Sequence, residues 1–232
     1  MRYAVQLVGG SKPTMEHASK CFQGDAARIH SVGDQWFLES CLFETCTAPV
    51  QVFPIADELL RIMQRLTAVH GRLFSFAETG YVQAFNDAGA PTQRAVRGST
   101  LVQIISTEGL RELQMLQELQ GVQTRGSALV SAVMASKKLQ EALALIGDGY
   151  GLEWAQLYNI LEFLGGVGAV VKKKWVARAK VTGCRQTANH YRHLGSPKKY
   201  PLPADPPSRG EATILVLGLL RKWMSEELAR VR

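Results

Sequence analysis

From Ile55 to His70, apolar side chains recur every three or four residues. Ile55, Leu59, Ile62, Met63, Leu66 and Val69 therefore share one face and predict an amphipathic helix. Asp57 and Glu58 suit the positive end of that helix, and Gly71 ends it. Around it the pattern shortens to strand-like runs: Tyr3 to Val8, closed by Gly9-Gly10, and the aromatic-rich Gln35 to Phe43. Arg72 to Ala77 and Tyr81 to Asn86 flank Glu78-Thr79-Gly80 and predict a β-hairpin. Thr100 to Ile105 is expected to add another strand after the turn-rich stretch Asp87 to Pro91, and Pro13 to Phe22 a short helix. Residues 1–106 thus predict a small α+β module.

After Ser106 the period becomes helical throughout. Thr107 to Leu119 is a polar helix within a connecting segment, 107–126. Ser127 to Ile146 predicts one long helix, broken by the glycines from Gly147 to Gly151. Leu152 to Leu164 follows, with Trp154, Leu157, Tyr158, Leu161 and Leu164 on one face. Val167 to Lys180 is expected to be another helix, with a turn at Thr182-Gly183 before one more short helix. Ser196 to Arg209 holds Pro197, Pro201, Pro203, Pro206 and Pro207 and must be a loop. Glu211 to Arg230 closes the chain as a helix with Ile214, Leu217, Leu220 and Trp223 inward. The fold class is therefore α+β: an N-terminal module, then an all-α bundle over 127–232.

Composition narrows the classes. An apolar content of 46% beside 20% charged residues excludes wholesale disorder. No apolar run approaches the roughly 20 residues that span a bilayer, so no membrane segment is expected. The first residues lack the features of a signal peptide, which points to a cytoplasmic protein. Cys21, Cys41, Cys46 and Cys184 form no CxxC pair and have no histidine at zinc-ligand spacing. Reduced cysteines, no metal and no cofactor are expected. Gly9-Gly10-Ser11-Lys12 lacks the spacing of a phosphate loop.

Charge is the strongest signal. The formal net charge is +7, yet no Asp or Glu lies between Phe163 and Ala204. That window carries Lys172, Lys173, Lys174, Arg178, Lys180, Arg185, Arg192, Lys198 and Lys199. Such a stretch attracts a polyanion, and Trp175 inside it offers a plane for stacking. The competing reading is a solvated helix face with Trp175 as its anchor. The Trp154–Tyr158 pair has the same two readings, base stacking or helix packing.

The basic window ends in Cys184-Arg-Gln-Thr-Ala-Asn-His-Tyr-Arg-His-Leu-Gly195. Histidine titrates near neutral pH and can move a proton. Arginine grips phosphate and stabilises charge developing on it. On an ideal helix, Arg185 and His190 stand about 140° apart, whereas Arg185, Asn189, Arg192 and His193 fall within about 100° of arc. Two pairs, Arg185/His190 and Arg192/His193, therefore compete for the role of site.

An all-α bundle carrying Arg-x(4–6)-His near its last helices resembles the HEPN superfamily of ribonucleases and nucleic-acid-binding proteins. Arg185 and His190 fit that pattern with four intervening residues, although Gln186 stands where the family usually has Asn, His or Asp. Residues 187–195, the proline-rich loop and the last helix also look like a group of uncharacterised bacterial proteins. The resemblance implies metal-independent RNA cleavage, with His190 as acid or base, Arg185 on the phosphate, and Asn189, Arg192 and His193 in support. It further implies a dimer with a composite cleft and a place in anti-phage defence or a toxin–antitoxin system, RNA being favoured over DNA. Binding without cleavage is the milder form of the same reading. The alternative is a non-catalytic adaptor whose α+β module contacts a protein partner.

Overall fold

The computed structural model describes residues 2–69, 79–97, 125–147, 152–195 and 198–231. Among them are five strands and eight α-helices, so the fold is mixed α+β. Its contacts divide the chain into two compact units. One takes in 1–66 and 74–140, the other 67–73 and 141–232.

In the first unit, β1 (Arg2–Leu7) is followed by α1 (Lys12–Cys21) and the hairpin of β2 (Arg28–Val32) and β3 (Gln35–Glu39). Helix α2 (Val52–Val69) leads on to β4 (Thr79–Phe85) and β5 (Pro91–Val96). The strand order is β2-β3-β1-β4-β5, with every neighbouring pair antiparallel. The first four strands with α1 and α2 have the split βαβ arrangement of ferredoxin-like folds, extended by β5. Tyr3, Val5, Leu7, Ile29, Leu38, Val82 and Ala84 are all buried, and the pleat places them on one face. Met15 and Ala18 of α1 are buried in the same unit, as are Leu59, Ile62, Met63 and Leu66 of α2.

Gly9 and Gly10, at φ 81° and 73°, turn the chain from β1 toward α1. Ser11 Oγ then accepts the Thr14 amide at 3.4 Å, so this glycine pair serves a helix cap. The predicted strand over Gln35 to Phe43 stops at Glu39. Ser40 Oγ donates to the Ala26 carbonyl at 2.7 Å and accepts the Leu42 amide at 3.2 Å, which starts a 3₁₀ turn over Cys41–Thr45. The predicted hairpin arm Arg72 to Ala77, and the segments Thr100 to Ile105 and Thr107 to Leu119, lie outside the described residues. The described hairpin joins β4 to β5 through Asn86 to Ala90, with Gly89 at φ 76°. Strands β2 and β5 were not anticipated.

Helix α3 (Arg125–Ala135) belongs to the unit with the sheet and packs on α1. The predicted single helix from Ser127 to Ile146 is interrupted at Ser136. Ser136 Oγ accepts the Leu139 amide at 3.4 Å and opens α4 (Lys137–Ala144).

The second unit contains α5 (Trp154–Phe163), α6 (Gly166–Lys172), α7 (Arg178–Arg192) and α8 (Arg209–Val231). The helix expected over Val167 to Lys180 ends early, at Lys172, and the turn expected at Thr182-Gly183 lies inside α7. Packing explains this: Val181, Cys184 and Ala188 follow helical spacing and are fully buried, so the face they form carries the helix through Gly183. No helix among the described residues is long and apolar enough to cross a membrane.

A capping box opens α8. The Ser208 amide and hydroxyl both donate to Glu211 Oε2, at 2.8 and 2.7 Å, and Ser208 Oγ accepts the Glu211 amide at 3.3 Å. These bonds to Ser208 hold the Glu211 carboxyl below its ordinary pKa. Its contribution is present above the unfolded carboxylate pKa and is lost as pH falls through the folded one. Ser208→Ala should cost about 1 kcal/mol at neutral pH in urea unfolding and should flatten the acid limb of the stability profile.

Candidate functional site

Helix α7 carries four of the five candidate catalytic residues, Arg185, Asn189, His190 and Arg192, and His193 is its C-cap. Arg185 and Arg192 lie toward α5; His190, and His193 at the C-cap, lie toward Tyr200. Arg185 Nε donates to Glu162 Oε1 at 2.8 Å, and its Nη2 donates to the Tyr158 hydroxyl at 3.3 Å. The Arg185 and Arg192 guanidinium carbons lie 5.5 and 4.5 Å from the centre of the Tyr158 ring. One phenol thus serves both arginines. The hydrogen bond to Glu162 raises the Arg185 pKa, so this guanidinium stays charged. Beside this group, the Trp154 and Tyr191 rings stack at 5.1 Å and 10°.

His190 Nδ1 lies 2.7 Å from the Tyr200 carbonyl oxygen. A carbonyl only accepts, so Nδ1 carries the hydrogen, and in the neutral ring the lone pair is on Nε2. The His193 ring stacks on the Tyr200 ring at 4.5 Å and 23°. One loop residue therefore positions both histidines. Among the described residues, Arg185 and His190 are not brought to a common partner, and neither are Arg192 and His193. Asn189 is half-buried, and its backbone carbonyl accepts the His193 amide at 3.2 Å.

The lysine run forms the turn between α6 and α7. The Trp175 amide donates to the Val170 carbonyl at 3.2 Å and the Lys174 amide to that of Val171 at 2.9 Å. These are the two bonds of a Schellman cap, and its left-handed position is held by Lys174 at φ 58°. Glycine is the usual occupant there because a Cβ costs about 1 kcal/mol in that conformation. Lys174→Gly should therefore raise stability by about that amount in urea unfolding.

Lys173 Nζ pairs with Glu226 at 2.5 Å and sits 4.3 Å from the Trp175 ring centre. Trp175 is half-buried, and its carbonyl accepts Lys222 Nζ at 2.9 Å. Lys172, Lys174, Arg178, Lys180, Arg192, Lys198 and Lys199 are exposed and have no acidic partner among the described residues. Of the nine cations in the acid-free window, Lys173 and Arg185 are the two that an acid among the described residues neutralises, in each case from outside the window.

Cys184 is buried beneath this surface, and burial pushes its thiol up to about 11. It packs as a small apolar side chain. All four cysteines are free, and the described residues contain no His/Cys/Asp/Glu cluster that could hold a metal. Sequence reasoning did not single out Tyr158 and Glu162 as partners of Arg185, or Tyr200 as partner of the histidines. The aromatic spacing from Trp154 to Tyr158 pointed to the right helix but not to its partner. Comparisons with family models, curated proteins and solved structures find no match to this chain.

Proposed function

We propose that this protein binds RNA through a HEPN-like helical bundle that follows its N-terminal α+β module. The observation that carries the reading is the run of exposed, acid-free cations from Lys172 to Lys199, interleaved with Trp175, Tyr191 and Tyr200. Phosphates meet the lysines and arginines, and unpaired bases meet the aromatic planes. The test is fluorescence anisotropy with a labelled single-stranded RNA at a series of salt concentrations. Affinity should fall steeply as salt rises. Salt-independent binding, or none, overturns the reading and leaves an adaptor that contacts another protein.

The His190 tautomer favours a second, narrower reading, metal-independent cleavage. His190 Nε2 would take the proton of an RNA 2′-hydroxyl. The freed 2′-oxygen attacks the adjacent phosphorus, the P–O5′ bond breaks, and the departing 5′-oxygen takes a proton. The products are a 2′,3′-cyclic phosphate end and a 5′-hydroxyl end. Incubation of RNA with the protein in EDTA decides it: cyclic-phosphate ends should form with wild type and be lost with His190→Ala. Uncut RNA sinks this step and leaves binding in place.

A further inference from the structure

We infer that the sheet face opposite the buried one is a second site for single-stranded nucleic acid, separate from the helical surface. Strand register sets what this face displays. One row runs from His30 to Phe37, and the next from Arg28 through Glu39, Ala4 and Gln83 to Arg94. Tyr81 and Phe85 stand out from β4 on the same side. The His30 and Phe37 rings stack at 6.0 Å and 26°, and Phe37 meets the edge of Tyr81 at 6.1 Å and 71°. The Arg94 guanidinium lies 4.1 Å above the Tyr81 ring, and the Tyr81 hydroxyl donates to Gln35 Oε1 at 3.1 Å. Rings of β2, β3 and β4 thus touch one another on this face; Phe37 is buried among them, and the half-buried rings of His30 and Tyr81 are the planes within reach of a base.

Charge on this face selects an anion. Among the described strand residues Glu39 is its one acid. Glu39 faces three cationic or titratable groups: Arg2 at 2.6 Å, His30 at 3.9 Å and Arg28 at 4.0 Å. With Arg94, three arginines stand against a single carboxylate. The side chains of Arg2 and Arg28 are 62% and 54% exposed, so the face is open where the positive charge is greatest. Exposed Val32 and Val96 extend the apolar strip to both edges of the sheet. A duplex hides its base faces and could use only the arginines. Unpaired bases can use the rings, and their phosphates the guanidinium groups.

The experiment uses the full-length chain and a short oligouridylate. Ultraviolet cross-linking followed by peptide mass spectrometry should place adducts on the strands carrying His30 and Tyr81, besides any on the helical unit. Tyr81→Ala should remove the β4 adduct. Because that ring is half-buried, the exposed pair Arg28→Gln with Arg94→Gln serves as the second variant and should weaken binding about tenfold. Adducts confined to the helical unit overturn the proposal, as does competition by duplex RNA equal to that of oligouridylate. Sheet adducts with none on the helical unit would uphold this site while overturning the function proposed for the bundle.

Discussion

Changing Lys172, Lys174, Arg178 and Lys180 together to glutamate should weaken single-stranded RNA binding by on the order of a thousandfold at moderate salt, at about 1 kcal/mol per reversed site. The four are exposed, and none is held by an acid among the described residues. Their reversal therefore removes phosphate contacts without breaking an internal pair. Lys173 is left alone because it bridges Glu226 and Trp175. Far-ultraviolet circular dichroism should stay unchanged while anisotropy loses most of its signal and the salt slope flattens. Full retention of affinity would move the binding surface elsewhere or remove it.

The other large effect is structural and comes from a pair of glycines. Inside an open helix, Gly→Ala gains about 1 kcal/mol. Gly183, within α7, has nothing within 4 Å of where a Cβ would stand, so Gly183→Ala should show that gain. At Gly126, in the first turn of α3, the same Cβ would lie 2.3 Å from the Cys21 carbonyl oxygen and 2.9 Å from its carbon. A backbone group cannot rotate away as a side chain would, so α1 and α3 must separate. Gly126→Ala should therefore cost about 3 kcal/mol, against the helix propensity. Hydrogen exchange at α1 and α3 amides reads it locally: protection should fall there in Gly126→Ala, while α7 amides gain protection in Gly183→Ala. Equal gains at both positions would show that α3 does not dock so closely.

How legible these features are in the sequence depends on what each element packs against. Helix α2 was readable because its apolar positions keep one period and are buried in the fold: Ile55, Leu59, Ile62, Met63, Leu66 and Val69. Strand β5 was not, because Pro91, Thr92, Gln93 and Arg94 are all exposed and leave no alternation to read. Its leading proline is tolerable because, among the described strands, β5 is an edge strand paired with β4 alone. Gly183 misled for the opposite reason, since local propensity suggested a turn and the buried row of Val181, Cys184 and Ala188 overrode it. At the candidate site, spacing along α7 set His190 apart from Arg185 but grouped His193 with the arginines, whereas His193 caps the helix and its ring stacks on Tyr200. What each group touches depends on Tyr158, Glu162 and Tyr200, residues of other segments, and no periodicity within α7 encodes them.

The central place of β1 has a consequence for synthesis. Of the five described strands, the first to leave the ribosome lies in the middle of the sheet, and its edges are filled by β3 and then by β4, with Arg2 opposite Phe85. Until Thr79 to Phe85 has emerged, one edge of β1 has no mate, and loop closure over most of the first unit must precede the reward. Nascent chains that stall between Glu39 and Thr79 expose that edge beside apolar Tyr3, Val5 and Leu7, so this interval is where the protein most needs a chaperone.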